Sequence, residues 1–139
     1  MEIATAVEFA RGTKSSVLVT LRRDGKPQLS NVMHHAAADG TIRISTTAAT
    51  AKYHNIARTP WAALHVTSAD FWSYVVLEGE ASVTAPAAGE HDEVVEQLVE
   101  LYRDLAGEHP DWDDYRRVMV ADRRVVLRIA ATRAYGRRA

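Results

Sequence analysis

The sequence predicts a mainly β (α+β) domain, in which six short antiparallel strands form a small closed or split barrel with flanking helices. Six segments alternate apolar and polar residues with the period of a strand, and turn residues separate most of them. The strongest helical pattern lies between the fifth and sixth strands, so helices should cover one end of the barrel. At 139 residues the chain is long enough for one core and too short for two ordinary domains. We therefore expect a single domain over residues 1–139.

The first half of the chain predicts one helix followed by three strands. Residues 2–11 have apolar residues at helical spacing and stop at a glycine. Residues 16–21, 27–35 and 41–46 have strand character, and Asp-Gly turns lie between them. Short turns join neighbouring antiparallel strands, so the sequence predicts that these three strands form a meander.

The second half alternates between helices and strands. Residues 51–58 have helical spacing that Pro60 ends, and residues 61–66 and 73–84 read as two further strands. An amphipathic helix then follows, whose predicted apolar stripe is Val94, Leu98, Leu101, Tyr102 and Leu105.

Two elements complete the predicted fold. A short helix beginning near Pro110 should bury Trp112, Tyr115 and Met119. From Arg124 the pattern returns to a period of two, which predicts a last strand that pairs with the early sheet.

Composition and motifs exclude several functions. With 17 basic and 18 acidic residues the formal net charge is -1, so we expect binding neither to nucleic acid nor to a membrane. The chain has no cysteine and begins with no signal-peptide pattern, which is typical of a soluble cytoplasmic protein. The six histidines show no metal-ligand spacing, and no nucleophile elbow or glycine-rich phosphate loop is present. We therefore expect no metal site.

Two segments carry polar groups that suit a ligand. Gln28, Ser30 and Asn31 on the second strand offer donors and acceptors to the edge of a heterocycle, although cross-strand hydrogen bonding would also explain them. In "TTAATAKYHN", Thr50 and Lys52 open a helix, whose free N–H groups and ammonium suit a phosphate. An N-capped helix with an exposed lysine is the alternative. If both segments border one cleft, they favour a bound phosphorylated heterocycle.

Four stretches together resemble one known family. They are "VLVTLRRDGKPQLSNV", "TAKYHNIARTP", "FWSYVVLEGEASV" and "VLRIAATRAYG". They are similar to the pyridoxamine 5'-phosphate oxidase-like (PPOX class) proteins, whose fold is the FMN-binding split β-barrel. Within that family the chain most resembles the branch that uses the deazaflavin coenzyme F420, including the stretch "LYRDLAGEHPDWDDYRRVMVADRRVVL". The resemblance runs from about residue 9 to residue 136.

The resemblance implies a homodimer with cofactor sites at the subunit interface. It assigns the phosphate side of the cofactor to Ser45, Thr46, Thr47, Thr50 and Lys52. It assigns the ring edge to Gln28, Ser30, Asn31 and Val32, and the aromatic lining of the pocket to Trp72 and Tyr74. Close relatives carry an arginine two positions before the lysine, where this chain has Thr50. Arg43, Arg58 or an arginine of the second subunit is the expected replacement.

The activity that the resemblance implies is an F420-dependent oxidoreductase that reduces a conjugated small-molecule substrate by hydride transfer. The alternatives are an FMN-binding oxidase of the pyridoxamine-phosphate-oxidase type and a carrier that binds the deazaflavin without turnover. Because the cofactor supplies the reactive chemistry, no catalytic residue is assigned. Candidate proton donors are Tyr74, His34 and His35.

Overall fold

The computed structural model describes residues 1–138, which contain seven strands and four helices. In chain order these are α1 (Ile3–Arg11), β1 (Ser15–Leu21), β2 (Pro27–Met33), β3 (His35–Ala36), β4 (Thr41–Thr47), α2 (Ala51–Arg58), β5 (Trp61–Thr67), β6 (Tyr74–Val83), α3 (Glu93–Ala106), α4 (Trp112–Ala121) and β7 (Arg124–Arg137). All strands belong to one antiparallel sheet in the order β2-β1-β5-β6-β7-β4-β3. The sheet curls around its core as a split barrel with flanking helices, which confirms the predicted fold class.

The prediction of one continuous strand over residues 27–35 is wrong, and this accounts for the seventh strand. β2 ends at Met33 and β3 begins at His35, yet these strands lie at opposite ends of the sheet order. The predicted meander is also wrong, because β4 pairs with β3 and β7 and not with β2. The chain therefore crosses the split of the barrel at a single residue, His34.

Hydrogen bonds from distant parts of the chain hold His34 at this crossing. Its side chain is only 1% exposed, Nε2 lies 2.9 Å from the carbonyl oxygen of Ala10, and Nδ1 lies 2.7 Å from Oγ of Ser16. A carbonyl oxygen only accepts, so Nε2 carries the proton, and Nδ1 of the neutral ring accepts from the Ser16 hydroxyl. Burial lowers the pKa of His34, which keeps the ring in this neutral form.

The main core fills the inside of the barrel. Its fully buried side chains alternate along the strands, as the period-two pattern predicts, and include Leu18, Ile42, Leu64, Leu77, Val125, Leu127 and Ile129. α1 closes this core with Ala6 and Ala10, both without exposed surface.

A second apolar cluster joins the outside of β7 to α3 and α4. Val126 packs there with Met119 of α4 and with Val95, Leu98 and Val99 of α3. The predicted stripe of α3 is thus partly wrong: Leu98 and Leu101 are buried, whereas Val94, Tyr102 and Leu105 are only half-buried. The helix packs against both the strand and α4, which turns its buried face towards Val95 and Val99.

α2 is fixed at both ends and in the middle. Thr50 is its N-cap, and the helix ends before Pro60, as predicted. The buried Asn55 donates from Nδ2 to Oγ1 of Thr20 at 3.1 Å, which ties the helix to β1.

Among residues 1–138, no helix combines the length and apolar character that spanning a membrane requires.

Candidate functional site

A cavity of about 330 Å³ lies between the end of β2 and the start of α2. We call it the Lys52 cavity, and its lining residues are Asn31, Val32, Met33, Ser45, Thr46, Lys52, Leu105 and Arg124. It opens at the split of the barrel, because in residues 1–138 no ladder of strand hydrogen bonds joins β2 to β4. Asn31 at the end of the second strand and Lys52 therefore line one cavity, whereas Gln28 and Ser30 do not line it.

The start of α2 positions the lysine. Thr50 caps the helix, since its Oγ1 accepts from the Tyr53 N–H at 3.4 Å and donates to the carbonyl oxygen of Thr47 at 3.0 Å. Lys52 is the second residue of the helix, so its ammonium adds to the positive end of the helix dipole. No carboxylate of the described chain forms an ion pair with Lys52. Its charge is therefore free to bind an anionic ligand.

Hydroxyl groups surround this lysine, but two of them are already engaged. Oγ1 of Thr46 donates to Oγ1 of Thr50 at 3.3 Å, so both threonines help to hold the turn that precedes the helix. Thr47 and Thr50 are not among the lining residues, whereas Ser45 and Thr46 are. Because the Thr46 hydroxyl donates to Thr50, the hydroxyl of Ser45 is the one that would donate to an anion bound in the cavity.

Arg124 is a second cation of the Lys52 cavity, which the sequence reasoning missed. It is the first residue of β7 and pairs directly with Thr47 of β4. Its Nε is buried without a hydrogen-bond partner and lies 3.9 Å from Oδ2 of Asp122, beyond hydrogen-bonding length. The only signal in the sequence was the register of the last strand, which places position 124 opposite the strand end before α2.

The arginines suggested by the sequence as replacement cations lie elsewhere. Arg43 donates to Asp104 at 2.5 Å and to Nδ1 of His35 at 2.7 Å. Arg58 donates to the carbonyl oxygen of Leu21 at 2.9 Å and to Oδ1 of Asn55 at 2.8 Å. Neither side chain lines the Lys52 cavity.

The residues assigned to the ring edge are divided between the two faces of β2. Gln28, Ser30 and Val32 are half-buried, whereas the alternate positions of the strand, including Asn31, are exposed. Gln28 lines a separate cavity of about 850 Å³, beside Arg22, Arg23 and Arg58. Asn31 and Val32 lie at the Lys52 cavity, while Ser30 pairs with Leu18 in the β1 ladder.

A third cavity, the outer cavity, lies on the external face of the sheet. Its volume is about 500 Å³, and it shares Asn31, Val32 and Met33 with the Lys52 cavity. Its other lining residues are Ser15, Ser16, Val17, His65 and Thr67. The last residues of β2 therefore lie between the Lys52 cavity and the outer cavity.

The predicted aromatic residues do not line the Lys52 cavity of their own chain. Trp72 lies in the loop between β5 and β6 and is 68% exposed. Tyr74 stacks on His65, a lining residue of the outer cavity, with ring centroids 5.2 Å apart and planes 24° apart. Tyr74 thus lies at the external side of the sheet, whereas Trp72 is an exposed loop residue.

The candidate proton donors His34 and His35 also lie outside the Lys52 cavity. Both ring nitrogens of His34 have hydrogen-bond partners, so its role is to hold the crossing between β2 and β3. Burial, reinforced by the charge of Arg43, lowers the pKa of His35. No group of three or more histidine or acidic side chains in residues 1–138 is arranged to hold a metal ion.

The donor set of the Lys52 cavity fits a phosphate-bearing cofactor. It combines the ammonium of Lys52, the guanidinium of Arg124 and the hydroxyl of Ser45, and no carboxylate lines it. Its volume lies at the lower end of the range of about 300–1,000 Å³ for small-molecule sites. The cavity is therefore suited to the anionic part of a larger ligand.

Comparison with known proteins identifies relatives of the whole chain. A family model described as pyridoxamine 5'-phosphate oxidase matches residues 3–138. The conserved hypothetical protein Rv2991 of Mycobacterium tuberculosis is 24% identical, with a TM-score of 0.73 over 98% of this chain and 84% of that one.

Two further solved structures are similar. An F420 reductase is 21% identical, with a TM-score of 0.68 over 92% of this chain and 94% of that one. A putative pyridoxamine 5'-phosphate oxidase of Listeria innocua is 16% identical, with a TM-score of 0.66 over 97% and 98% of the two chains. At these identities the likenesses establish the fold.

Proposed function

Since the chain belongs to the pyridoxamine 5'-phosphate oxidase family, we propose that it is an oxidoreductase that uses coenzyme F420 to reduce a conjugated organic substrate. The observation that carries the proposal is the Lys52 cavity, where an unpaired lysine at a helix N-terminus faces hydroxyls and the polar end of β2. The sequence resemblance to the F420 branch favours this coenzyme over FMN. The fold likeness to an F420 reductase is consistent with that choice.

In this proposal the protein binds, orients and shields the cofactor. Lys52 neutralises part of the phosphate charge, and the hydroxyl of Ser45 donates to its oxygens. Asn31 offers an amide to the ring edge from the rim that the two cavities share. When bound and reduced, F420 supplies the hydride for an electron-poor carbon or imine of the substrate. The chain contributes placement and exclusion of water, and no proton donor is assigned.

We further propose that the protein is a homodimer whose cofactor sites lie at the interface. The external face of β1 and β2 exposes Leu29 (58%) and Met33 (56%) beside Val17 and Val19. Exposed apolar surface of this kind marks an interaction site, and a second copy can cover it symmetrically. The outer cavity lies on the same face, so pairing would bring the shared rim of β2 into the interface.

Fluorescence titration of the protein with F420, and separately with FMN, tests the proposed cofactor. Tight binding of F420 and weak binding of FMN are expected. A clear preference for FMN would contradict the proposal and favour the flavin-dependent oxidase activity that gives the family its name.

Turnover distinguishes a reductase from a carrier. Reduced F420 is mixed with the protein and a panel of quinones, enones and tetrapyrroles, and its oxidation is followed by absorbance. We expect oxidation with at least one acceptor class. Tight F420 binding without oxidation by any member would instead support a non-catalytic carrier.

A further inference from the structure

We propose that Arg124 is the second anion-binding residue of the Lys52 cavity and determines how strongly the phosphate of the cofactor is held. The inference deepens the proposed function and rests on it. Arg124 comes from the last strand, whereas Lys52 comes from the helix after β4, so the two cations approach the cavity from different elements.

The backbone around Arg124 is fixed on both sides. Its own carbonyl oxygen accepts from the Ala87 N–H at 2.8 Å, and the carbonyl oxygen of Arg123 accepts from the Ala48 N–H at 3.0 Å. Arg124 also pairs with Thr47 at the end of the β4–β7 ladder. The side chain therefore starts from a rigid strand end beside the turn that leads into α2.

The guanidinium group of Arg124 has an unused donor. Its Nε is buried and has no hydrogen-bond partner in the described chain, although buried polar groups in native proteins are nearly always paired. The nearest carboxylate, that of Asp122, lies 3.9 Å away and is 46% exposed. The side chain as a whole is 32% exposed and lines the cavity, so an oxygen of a bound phosphate would accept from its guanidinium, with the charge assistance typical of arginine–phosphate contacts.

A comparison with Arg43 separates this arginine from a merely structural one. The Nε of Arg43 is also buried without a partner, but another nitrogen of its guanidinium is held by Asp104 and His35. No comparable hydrogen bond holds the guanidinium of Arg124 in residues 1–138, and it lines the cavity, whereas Arg43 does not. Within that range, only Arg124 combines an unpartnered Nε with a side chain that lines the Lys52 cavity.

Arg128 offers a matched control on the same strand. It lies on the same face of β7 as Arg124, donates to Oε1 of Gln97 at 2.9 Å, and lines a different cavity. Arg124→Gln and Arg128→Gln each remove one positive charge from this face. Only the first removes a cation from the Lys52 cavity.

The test measures dissociation constants of the full chain for F420 and FMN by fluorescence titration, at low and high salt. Because the contact is charge-assisted, we expect Arg124→Gln to weaken binding of the preferred cofactor by about tenfold or more, and salt to weaken it less than in the wild type. Arg128→Gln should stay within about twofold of the wild type, because its side chain lines a different cavity and is engaged with Gln97. Equal effects of the two substitutions would overturn the inference.

Two further measurements keep the outcome interpretable. Arg124→Lys retains the charge but loses the forked donors, so its affinity should fall between those of the wild type and Arg124→Gln. Inorganic phosphate should raise the melting temperature of the wild type more than that of Arg124→Gln; an equal rise would count against the inference. Failure of the wild type to bind either cofactor would overturn the proposed function itself. Binding that Lys52→Ala weakens and Arg124→Gln leaves unchanged would overturn only the role of Arg124.

Discussion

Replacing His34 by glutamine should remove a pH dependence from the stability of the protein. Burial lowers the pKa of His34 from its ordinary value of 6.5 in the folded chain, while the unfolded chain keeps that ordinary value. As the pH falls below 6.5, the unfolded chain binds a proton at this ring before the folded chain does. The stability that the neutral ring contributes is therefore complete above 6.5 and declines from 6.5 down to the folded-state pKa.

The size of this effect follows from proton linkage. One proton bound only by the unfolded state changes the unfolding free energy by about 1.4 kcal/mol per pH unit. The glutamine variant has no ring at position 34 to bind this proton. Between about pH 6.5 and 5.5 its unfolding free energy should therefore fall less than that of the wild type, and the two falls should differ by up to about 1.4 kcal/mol. At neutral pH the variant loses the acceptor for the Ser16 hydroxyl, which should cost about 1–2 kcal/mol.

Urea unfolding at a series of pH values, followed by circular dichroism, measures both effects. Ser16→Ala is the matched control, because it removes the same hydrogen bond and leaves the titrating ring in place. It should lower stability at neutral pH and retain the steep slope of the wild type. Equal slopes for His34→Gln and the wild type would refute the account of His34 as a buried neutral ring.

Three other substitutions test separate parts of the structure. Asp92→Ala removes the N-cap of α3, whose carboxylate accepts from three backbone N–H groups at 2.8–3.0 Å. The variant should lose about 1–2 kcal/mol of unfolding free energy in urea. An unchanged urea midpoint would contradict the role of Asp92 as the cap. Gly79→Ala places a Cβ 2.1 Å from the carbonyl oxygen of Ala130, so the variant should melt at a much lower temperature than the wild type or fail to fold. A melting temperature equal to that of the wild type would contradict the close approach of β6 and β7 at this position. Leu29→Glu puts a charge on the external face of β2, where we propose that two copies of the chain meet. Light scattering should show a monomer for this variant. A variant that remains as dimeric as the wild type would place the interface elsewhere.

The elements with strong local patterns were predictable from the sequence. The first helix and α2 agree with their predicted bounds within a residue, because a glycine and a proline mark their ends. The last strand was also correct: Val125, Leu127 and Ile129 lie in the main core, while Val126 and Arg128 lie on the opposite face of the strand.

The crossing at His34 was not predictable, because its cause lies in distant residues. Positions on both sides of His34 have strand character, and nothing local signals that they belong to opposite ends of the sheet. The ring is held by Ser16 and Ala10, which are 18 and 24 residues away in the chain.

The candidate site was only partly predictable, because contacts between distant parts of the chain also decide which residues line it. Asn31 and Lys52 were grouped through a predicted meander that the structure contradicts, and Ser45 through the family resemblance, yet all three residues line one cavity. Gln28 was grouped with them, but a shift of three positions along a strand turns a side chain to the other face. Arg124 was missed because only the register of β7 against β4 brings it to that cavity.

The affinity of Lys52→Ala for F420 tests the central claim most directly. Lys26, an exposed lysine in the turn before β2, provides the control substitution Lys26→Ala. Lys52→Ala should raise the dissociation constant about tenfold or more, because it removes the ammonium that neutralises the phosphate, while Lys26→Ala should bind as the wild type does. Equal affinity of Lys52→Ala and the wild type would contradict the claim that this cavity holds the anionic part of the cofactor.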